Sequence, residues 1–241
     1  MTADVPKPTI EHGEEFWLTY MRSYHRIFSE LPPYQRMVDV AASALAKTDN
    51  ILDSAAGSGV LAKRLLQAGK HVTVLDKYEG VLELLRTHIH GHGDRSIVAQ
   101  ADANEPLPFA SEQFGGVASL LALPFMDNPD MYLDEHIRVL QSGGTMVVSG
   151  PSTDVRKVTI TASRWFMELR NAGVTERQDF DADWEVLLTS IAKTLAEGKI
   201  FHWFTVAEVE EMLMKKGMAI VQSTPNPLYY GYGYLVEARK Q

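Results

Sequence analysis

The middle of the chain alternates short apolar runs with stretches whose apolar residues recur every three or four positions. This alternation is typical of parallel strands joined by helices, and it predicts a doubly wound α/β sheet. Five strands are predicted, at Ile51–Ala55, His71–Asp76, Ser96–Ala99, Gly116–Leu121 and Thr145–Ser149. Helices are predicted between them, at Val60–Ala68, Glu79–His88 and Pro129–Leu140. Glycines stand where these helices are expected to stop.

Aromatic residues near the amino terminus recur at every fourth position, as Phe16, Tyr20, Tyr24 and Phe28. That spacing places them on one face of a helix, which we expect the Pro32-Pro33 pair to end. A second helix is predicted from about residue 34 to 47. The stripe is most simply explained as core contacts of a helix that packs on the sheet. The alternative is that this helix closes over a bound ligand as a lid.

The carboxyl-terminal third contains a second helical region and then returns to the sheet. A helical period between residues 151 and 200 predicts an insertion after the fifth strand. Thr205 and Glu208 form a capping box, which predicts a helix ending at Gly217. Strands at Met218–Thr224 and Tyr232–Ala238 follow, and their short connection requires antiparallel pairing. We therefore expect seven strands, the last antiparallel, in one domain. Its parts are a lid (11–47), a cofactor-binding core (48–150), the insertion (151–200) and the closing helix and strands (201–241).

Composition restricts the partners and the compartment. The 241 residues carry a net charge of −8, whereas nucleic-acid-binding proteins usually present a basic face. The chain has no cysteine, which excludes disulfides and thiolate metal sites. The first ten residues resemble neither a signal peptide nor an anchor, and no apolar run is long enough to span a membrane. We expect a cytoplasmic protein without nucleic-acid or membrane partners. The oligomeric state is left open.

The most informative segment is the turn from the first strand into the first of the alternating helices. It reads Asp53-Ser-Ala-Ala-Gly57-Ser-Gly59. Glycines allow the backbone to turn tightly and to approach a ligand where a Cβ would collide. Free N–H groups at the start of the helix add hydrogen-bond donors. An ordinary strand–helix turn is the alternative, and the glycine pair alone would not exclude it.

Two further carboxylates follow neighbouring strands. Asp76 ends the second strand, where a carboxylate can accept hydrogen bonds from both ribose hydroxyls of an adenosine ligand. Asp102 follows the third strand, where it can accept from an adenine amino group while Ala103 offers its N–H. Alternatively, Asp76 caps the next helix and Asp102 is a solvent-facing turn residue. The occurrence of all three carboxylates in this order favours a nucleoside site.

With these motifs, residues 51 to 238 resemble the class I S-adenosylmethionine-dependent methyltransferases. The resemblance also covers a Leu-Pro-Phe segment at 107–109 and the Leu-Gln-Ser-Gly-Gly-Thr turn at 140–145. It implies S-adenosylmethionine as the cofactor. The residues it implies are Asp53, Ala55, Gly57 and Gly59 around the methionyl part, Asp76 and Lys77 at the ribose, Asp102 and Ala103 at the adenine, and Leu121 with Ala122 beside the sulfonium. If the amino-terminal helix is a lid, Tyr24 would bring an aromatic ring close to that cation.

Some residues differ from the pattern of particular members of this family, and two other classes of protein fit part of the same motifs. Leu121-Ala-Leu-Pro-Phe125 stands where some amide-methylating relatives carry Asn/Asp-Pro-Pro-Tyr. Catechol-type relatives have a metal-binding Asp-Asn after the fifth strand, which is absent here, so no metal is expected. His88, His90 and His92 lie in a glycine-rich turn and are interpreted as solvated. The Gly57-x-Gly59-x-x-Ala62 spacing also fits an NAD(P)-binding oxidoreductase, although no Tyr-x-x-x-Lys pair accompanies it. A non-enzymatic cofactor-binding regulator also stays open.

The expected activity is methyl transfer to a small-molecule acceptor by in-line displacement at the sulfonium. Such a transfer needs little acid–base assistance if the acceptor is already nucleophilic, and no catalytic residue is assigned. The fold does not determine which carbon leaves sulfur. The alternative is attack on the aminocarboxypropyl carbon, with release of methylthioadenosine, either in transfer to an acceptor or in cyclisation to azetidine-2-carboxylate.

Overall fold

The structure is a computed structural model that describes residues 13–152, 157–196 and 202–241. Its seven strands are β1 Asn50–Ser54, β2 His71–Asp76, β3 Ser96–Gln100, β4 Phe114–Leu120, β5 Leu140–Pro151, β6 Met218–Pro225 and β7 Gly233–Lys240. Its helices are α1 Glu14–Phe28, α2 Pro32–Ala44, α3 Val60–Gln67, α4 Glu79–His88, α5 Pro129–Val139, α6 Lys157–Asn171, α7 Phe180–Ala196 and α8 Val206–Lys215. Short 3₁₀ turns occur at Leu123–Phe125, Val174–Glu176 and Pro227–Tyr229.

The strands form one mixed sheet in the order β3-β2-β1-β4-β5-β7-β6. β7 runs antiparallel to both β5 and β6, and the other pairs are parallel. This confirms the predicted seven-stranded α/β fold with its antiparallel last strand. The chain order reverses beside β1, so the carboxyl ends of β1 and β4 flank a crevice of the kind in which open α/β sheets bind ligands.

Apolar cores cover both faces of the sheet. Alternation along β1 directs Ile51 into the core shared with α1, α2 and α3, and Leu52 into the core shared with α5 and α8. By the same alternation, Asp53 lies on the α1/α2 face and Ser54 on the α5 face. Among the described residues, no helix is both long enough and apolar enough to cross a membrane.

The junction between the first two helices corrects one prediction. Pro32 and Pro33 are the first residues of α2, which ends at Ala44, whereas α1 has already ended at Phe28. Proline suits the first turn of a helix because its φ is already helical and its missing N–H would have no partner there. The pair therefore starts the second helix rather than only ending the first.

The predicted lid and insertion are joined to each other by buried polar contacts. Asp183 of α7 accepts hydrogen bonds from Ser23 at 3.0 Å and from Arg26 at 2.5 Å, both on α1. From α6, the Trp165 indole N–H donates to the Leu228 carbonyl at 2.8 Å. These bonds connect α1, the insertion and the turn before β7. The predicted capping box of Thr205 and Glu208 begins α8, as expected.

Candidate functional site

The glycine loop between β1 and α3 has an unusual backbone. Gly57 and Gly59 have φ angles of +54° and +77°, in the left-handed region that glycine adopts without a steric penalty. A Cβ on Gly59 would lie 2.8 Å from Leu85 Cγ of α4, so the loop also packs too closely for a side chain. The helix α3 begins directly after Gly59, and the Ala62 N–H in its first turn donates to Asp53.

Two non-glycine residues beside this loop share that backbone conformation. Ala55 has a φ of 51° and Leu121 has a φ of 65°, and they follow the carboxyl ends of the adjacent strands β1 and β4. A non-glycine residue in this region costs on the order of 1–3 kcal/mol, and such residues cluster at binding sites. The N–H of Leu121 donates to the Ser149 carbonyl of β5 at 2.8 Å, which holds the strained turn in place.

Asp53, at the end of β1, is a buried carboxylate that is only partly satisfied. Its side chain is 3% exposed, and its Oδ2 atom has no hydrogen-bond partner among the residues that the structure describes. Burial raises the pKa of Asp53 to about 7, against the effect of the Ala62 N–H and with a further contribution from Asp76. A buried acceptor of this kind lacks the partner that buried polar groups usually have, so it can accept a hydrogen bond from a ligand.

Asp76, at the end of β2, connects the glycine loop to α4. One carboxylate oxygen accepts from the Gly57 N–H at 3.0 Å and the other from the Tyr78 N–H at 3.3 Å. Burial raises the pKa of Asp76 despite these bonds. The residue at the N-cap position of α4 is Tyr78, so Asp76 is not the helix cap. Its position beside Gly57 agrees with the alternative role, as an acceptor for a ligand in the crevice.

Asp102 and Ala103 follow β3, next along the same edge. Lys77 forms an ion pair with Asp102 at 2.9 Å, and the Asn104 N–H donates to the same carboxylate at 2.9 Å. Burial opposes ionisation, but these bonds outweigh it and lower the pKa of Asp102. Ala103 is 5% exposed. The residues predicted from the sequence at the ends of β1 to β4 therefore lie along one edge of the sheet.

Helix α1 lies over this edge. A Cβ on Gly57 would be 3.1 Å from the Met21 sulfur atom, so α1 approaches the glycine loop directly. The aromatic stripe is continuous, with ring centroids 5.5 Å apart for Tyr20 and Tyr24 and 4.2 Å apart for the stacked Tyr24 and Phe28. The stripe therefore packs in the core, and Met21 is the residue of α1 that approaches the loop; closure of this helix as a lid stays a prediction.

A cluster of tyrosines, which the sequence only partly indicated, lies next to Asp53. A hydrogen bond joins the Tyr24 phenol to that of Tyr34 of α2, and burial raises the pKa of both phenols. Tyr34 is close enough to Asp53 for the carboxylate to raise its pKa further. Tyr20 and Tyr229 complete the group, since each raises the pKa of Tyr24. Tyr34 was missed because it follows a proline pair on a separate helix and belongs to no spacing pattern.

The histidine at the end of α4 is half-buried and bonded to the glycine loop, whereas the prediction was a solvated side chain. His88 bonds through Nδ1 to the Ser58 carbonyl of the glycine loop at 2.8 Å. Its ring stacks on His25 of α1, with centroids 3.5 Å apart. Burial lowers the pKa of His25 to about 4, and the neighbouring His88 adds to this effect. His88 thus links the cover helix to the loop, a contact that no local pattern could indicate.

A buried polar network supports the loop from the opposite face. His136 of α5 bonds to the Ser54 hydroxyl at 2.7 Å and to the Tyr132 carbonyl at 2.5 Å. The Tyr132 hydroxyl in turn bonds to Ser119 of β4 at 2.8 Å. The network ties β1 to β4 immediately beneath the crevice. It does not face α1, so we assign it to positioning of the strand ends.

The site can be tested for its fit to an adenosine-containing cofactor. The unpaired Asp53 oxygen suits a donor such as an ammonium group, and the glycine loop allows a ligand to approach the backbone closely. Asp76 lies where it can accept from ribose hydroxyls, and Asp102 with Ala103 lies where an adenine edge would be read. The residues present therefore fit S-adenosylmethionine.

Comparison with known proteins agrees with this geometry. Residues 52–148 match the family described as "Methyltransferase domain". A demethylmenaquinone methyltransferase of Clavibacter sepedonicus is 37% identical over 118 residues, which cover 49% of this chain and 47% of that protein. The chain thus spans about half the length of the curated relatives it matches.

Solved structures share the fold at low identity. Magnesium protoporphyrin IX methyltransferase of Synechocystis PCC 6803, with bound SAH, has a TM-score of 0.63 and 15% identity, over 92% of this chain and 93% of that one. The 1,6-didemethyltoxoflavin-N1-methyltransferase of Burkholderia thailandensis has a TM-score of 0.62 and 17% identity, over 98% of this chain and 93% of that one. The sheet order and these matches agree: residues 52–148 match a methyltransferase domain, and the chain has the fold of these solved methyltransferases.

Proposed function

We propose that the protein transfers the methyl group of S-adenosylmethionine to a small-molecule acceptor without a metal ion. The observation that carries this proposal is the edge of the sheet where Asp53, the glycine loop and Asp76 lie together under helix α1. A dehydrogenase interpretation has less support, because a buried Asp53 with an unpaired oxygen gives a pyrophosphate no favourable partner. The segment after β5 offers no acidic pair for a metal of the catechol type.

The predicted cofactor residues divide the site into three parts. Asp76 and Lys77 would hold the ribose, Asp102 and Ala103 the adenine, and the segment from Asp53 to Gly59 with Leu121 the methionyl part. When bound, the cofactor supplies a methyl group activated by a positively charged sulfur. The role of the protein is then to hold an acceptor in line with that carbon and to exclude water.

The elements outside the sheet support a small acceptor. Helix α1 contacts the glycine loop through Met21 and is held to α7 through Asp183. A polymer would have to displace this helix to reach the crevice, whereas a small molecule requires only transient opening. The names of the related proteins, which refer to quinone, toxoflavin and protoporphyrin methylation, describe small acceptors as well.

Binding is the first test. Calorimetric titration of the full chain should show binding of S-adenosylhomocysteine and none of NAD or NADP. We expect this selectivity because the proposed site combines carboxylates for the ribose and the adenine with residues for the methionyl part, which NAD and NADP lack. Binding of NAD without any response to S-adenosylhomocysteine would refute the proposal.

The second test identifies the carbon that is transferred. The protein is incubated with S-adenosylmethionine alone and with pooled small molecules, and the nucleoside product is identified by mass spectrometry. We expect S-adenosylhomocysteine, and only when an acceptor is present. Methylthioadenosine formed above the spontaneous rate without an acceptor would instead show attack on the aminocarboxypropyl carbon. The tyrosines near Asp53 are the feature that favours this second activity, because they could hold the methionyl part in position for intramolecular attack, for which effective molarities reach about 10⁵–10⁸ M.

A further inference from the structure

Two histidines from distant segments of the chain stack on each other beside the glycine loop. His25 lies in α1 and His88 is the last residue of α4. Their rings are nearly parallel, with centroids 3.5 Å apart and an angle of 11° between the ring planes. His88 also bonds through Nδ1 to the Ser58 carbonyl of the loop at 2.8 Å, and Ser58 is buried. We call His25 and His88 the histidine pair.

Helix α1 has a second attachment to α4, at the other end of both helices. Glu14 accepts a hydrogen bond from the Gly80 N–H at 2.6 Å, and a Cβ on Gly80 would lie 3.1 Å from the Leu18 side chain. Helix α1 therefore runs alongside α4 from the first turn of α4 to its last residue. The histidine pair closes this interface at the end where α4 is bonded to the glycine loop.

The surroundings of the histidine pair favour its neutral form. The His25 Nδ1 atom is buried and has no hydrogen-bond partner among the described residues. The charged groups that face the pair are Lys63 of α3, which acts on both rings, and Arg26 of α1, which acts on His25 and is itself bonded to Asp183 of α7. Burial and the neighbouring cations lower the pKa of both histidines, that of His25 to about 4. A proton on either ring therefore adds a positive charge beside Lys63.

We propose that His25 and His88 are positioning residues, which as a neutral stacked pair hold α1 and the glycine loop together in the arrangement that binds the cofactor. His88 acts through the Ser58 carbonyl, and His25 acts through the position of α1. Protonation of the pair separates the rings and releases this end of α1. The inference rests on the proposed function for the identity of the ligand, whereas the attachment of α1 to the loop is a property of the free chain.

The proposal predicts how the opening of α1 depends on pH. An unperturbed histidine has a pKa of about 6.5, whereas in the closed arrangement the pKa of His25 is about 4. Between these two values a proton binds the open form but not the closed one. Opening is therefore independent of pH above about 6.5 and becomes easier as the pH falls towards 4. From these pKa values, the equilibrium constant for opening rises roughly 30-fold between pH 7.5 and pH 5.

Hydrogen exchange of the free, full-length chain measures this opening. Protection factors of the α1 amides, corrected for the intrinsic effect of pH on exchange, are compared at pH 7.5 and pH 5. We expect at least about a tenfold fall in the wild type. His25→Phe keeps a flat neutral ring that cannot titrate, so its protection should change little between the two pH values. The control is His90→Phe, which replaces an exposed histidine two residues after His88 and should behave as the wild type.

Two results of the exchange experiment would overturn the proposal. The first is the same pH dependence in the wild type and His25→Phe, including none in either protein. The second is loss of the pH dependence in His90→Phe, because the effect would then not be specific to the histidine pair.

Calorimetric titration with S-adenosylhomocysteine tests whether the pair acts on the ligand site. The ratio of the dissociation constants at pH 5 and pH 7.5 should be at least about threefold smaller in His25→Phe than in the wild type. Asp53, whose pKa is about 7, titrates in both proteins, so the difference between their profiles reports on His25. Identical profiles would contradict the positioning role. Failure of the wild type to bind at pH 7.5 would instead refute the proposed function, and the exchange experiment would still test the pair.

Variants of His88 separate positioning from a structural role. His88→Asn keeps a side-chain N–H near the place of Nδ1, whereas His88→Phe keeps a ring and loses the donor to Ser58. We expect His88→Phe to weaken S-adenosylhomocysteine binding at pH 7.5 at least about threefold and His88→Asn to restore most of that loss. Undiminished binding by His88→Phe, or equal losses in the two variants, would show that this bond does not position the loop. Thermal unfolding checks that each variant is folded.

Discussion

Replacement of Gly59 by alanine is the sharpest test of the glycine loop. Gly59 has a φ of +77°, and a Cβ there would lie 2.8 Å from Leu85 Cγ in the core. The left-handed backbone costs an alanine about 1–2 kcal/mol. Displacement of a buried leucine adds roughly 1–3 kcal/mol, and the lower entropy of the unfolded alanine chain returns about 0.4–1 kcal/mol. We therefore expect Gly59→Ala to lower the free energy of unfolding by roughly 2–4 kcal/mol.

Gly143 offers a control with the same backbone but without the contact. Its φ is +74°, and no atom lies within 4 Å of the position of its Cβ. Gly143→Ala should therefore lower the free energy of unfolding only by the cost of the left-handed backbone, partly offset by the lower entropy of the unfolded chain. The expected loss is about 1 kcal/mol. Both values are measured by denaturant unfolding, with S-adenosylhomocysteine binding by the folded variants as a second measurement. Equal losses of stability in the two variants, or undiminished ligand binding by Gly59→Ala, would refute the argument that close packing shapes the loop.

Three further predictions concern single side chains. Asp76→Ala should weaken S-adenosylhomocysteine binding by more than about 1 kcal/mol in calorimetry, because a charged acceptor for the ribose is lost; normal binding would assign Asp76 to the loop alone. Burial lowers the pKa of His136 to about 4, below its value in the unfolded chain. The contribution of the neutral His136 to the free energy of unfolding is therefore fully present above about pH 6.5. It is lost as the pH falls towards 4, and the loss amounts to about 3 kcal/mol. His136→Gln should show a smaller fall over that range, and identical pH profiles would exclude this role. Asp183→Asn should accelerate hydrogen exchange in α1, because Ser23 and Arg26 lose a charged partner; unchanged exchange would show that α1 is held by packing alone.

Much of the sheet could be predicted because its signals are local. An apolar run followed by a glycine turn and a helical period indicates a strand and a crossover within a short window. The three carboxylates could be placed for the same reason, since Asp53, Asp76 and Asp102 each follow a strand and the carboxyl ends of parallel strands share an edge. Even so, the sequence did not show that Asp53 keeps an unpaired buried oxygen, which depends on elements far away in the chain.

The remaining features depend on contacts between distant segments. His88 looked solvated because its stacking partner, His25, lies on another helix. Asp183 follows no apolar pattern, yet it is 3% exposed because Ser23 and Arg26 enclose it. The Tyr34 phenol lies close enough to Asp53 for the carboxylate to raise its pKa, because α2 begins at the prolines that were expected to end α1. Long-range packing of polar side chains has no period, so the sequence gives no signal for it.

The family match covers only part of the chain, and this limits what it indicates about the substrate. Residues 52–148 contain every predicted cofactor residue on the sheet, whereas Tyr20, Tyr24, Tyr34 and Tyr229 all lie outside that range. The part that matches the methyltransferase domain would therefore bind the cofactor, and the acceptor would be met by α1, α2, the insertion and the last turn. Asp53 lies between the two, at the end of β1 and beneath the tyrosines. Similarity over the core thus supports the identity of the cofactor. It does not indicate a quinone substrate, because the acceptor would meet oxygen atoms from segments that the match does not include.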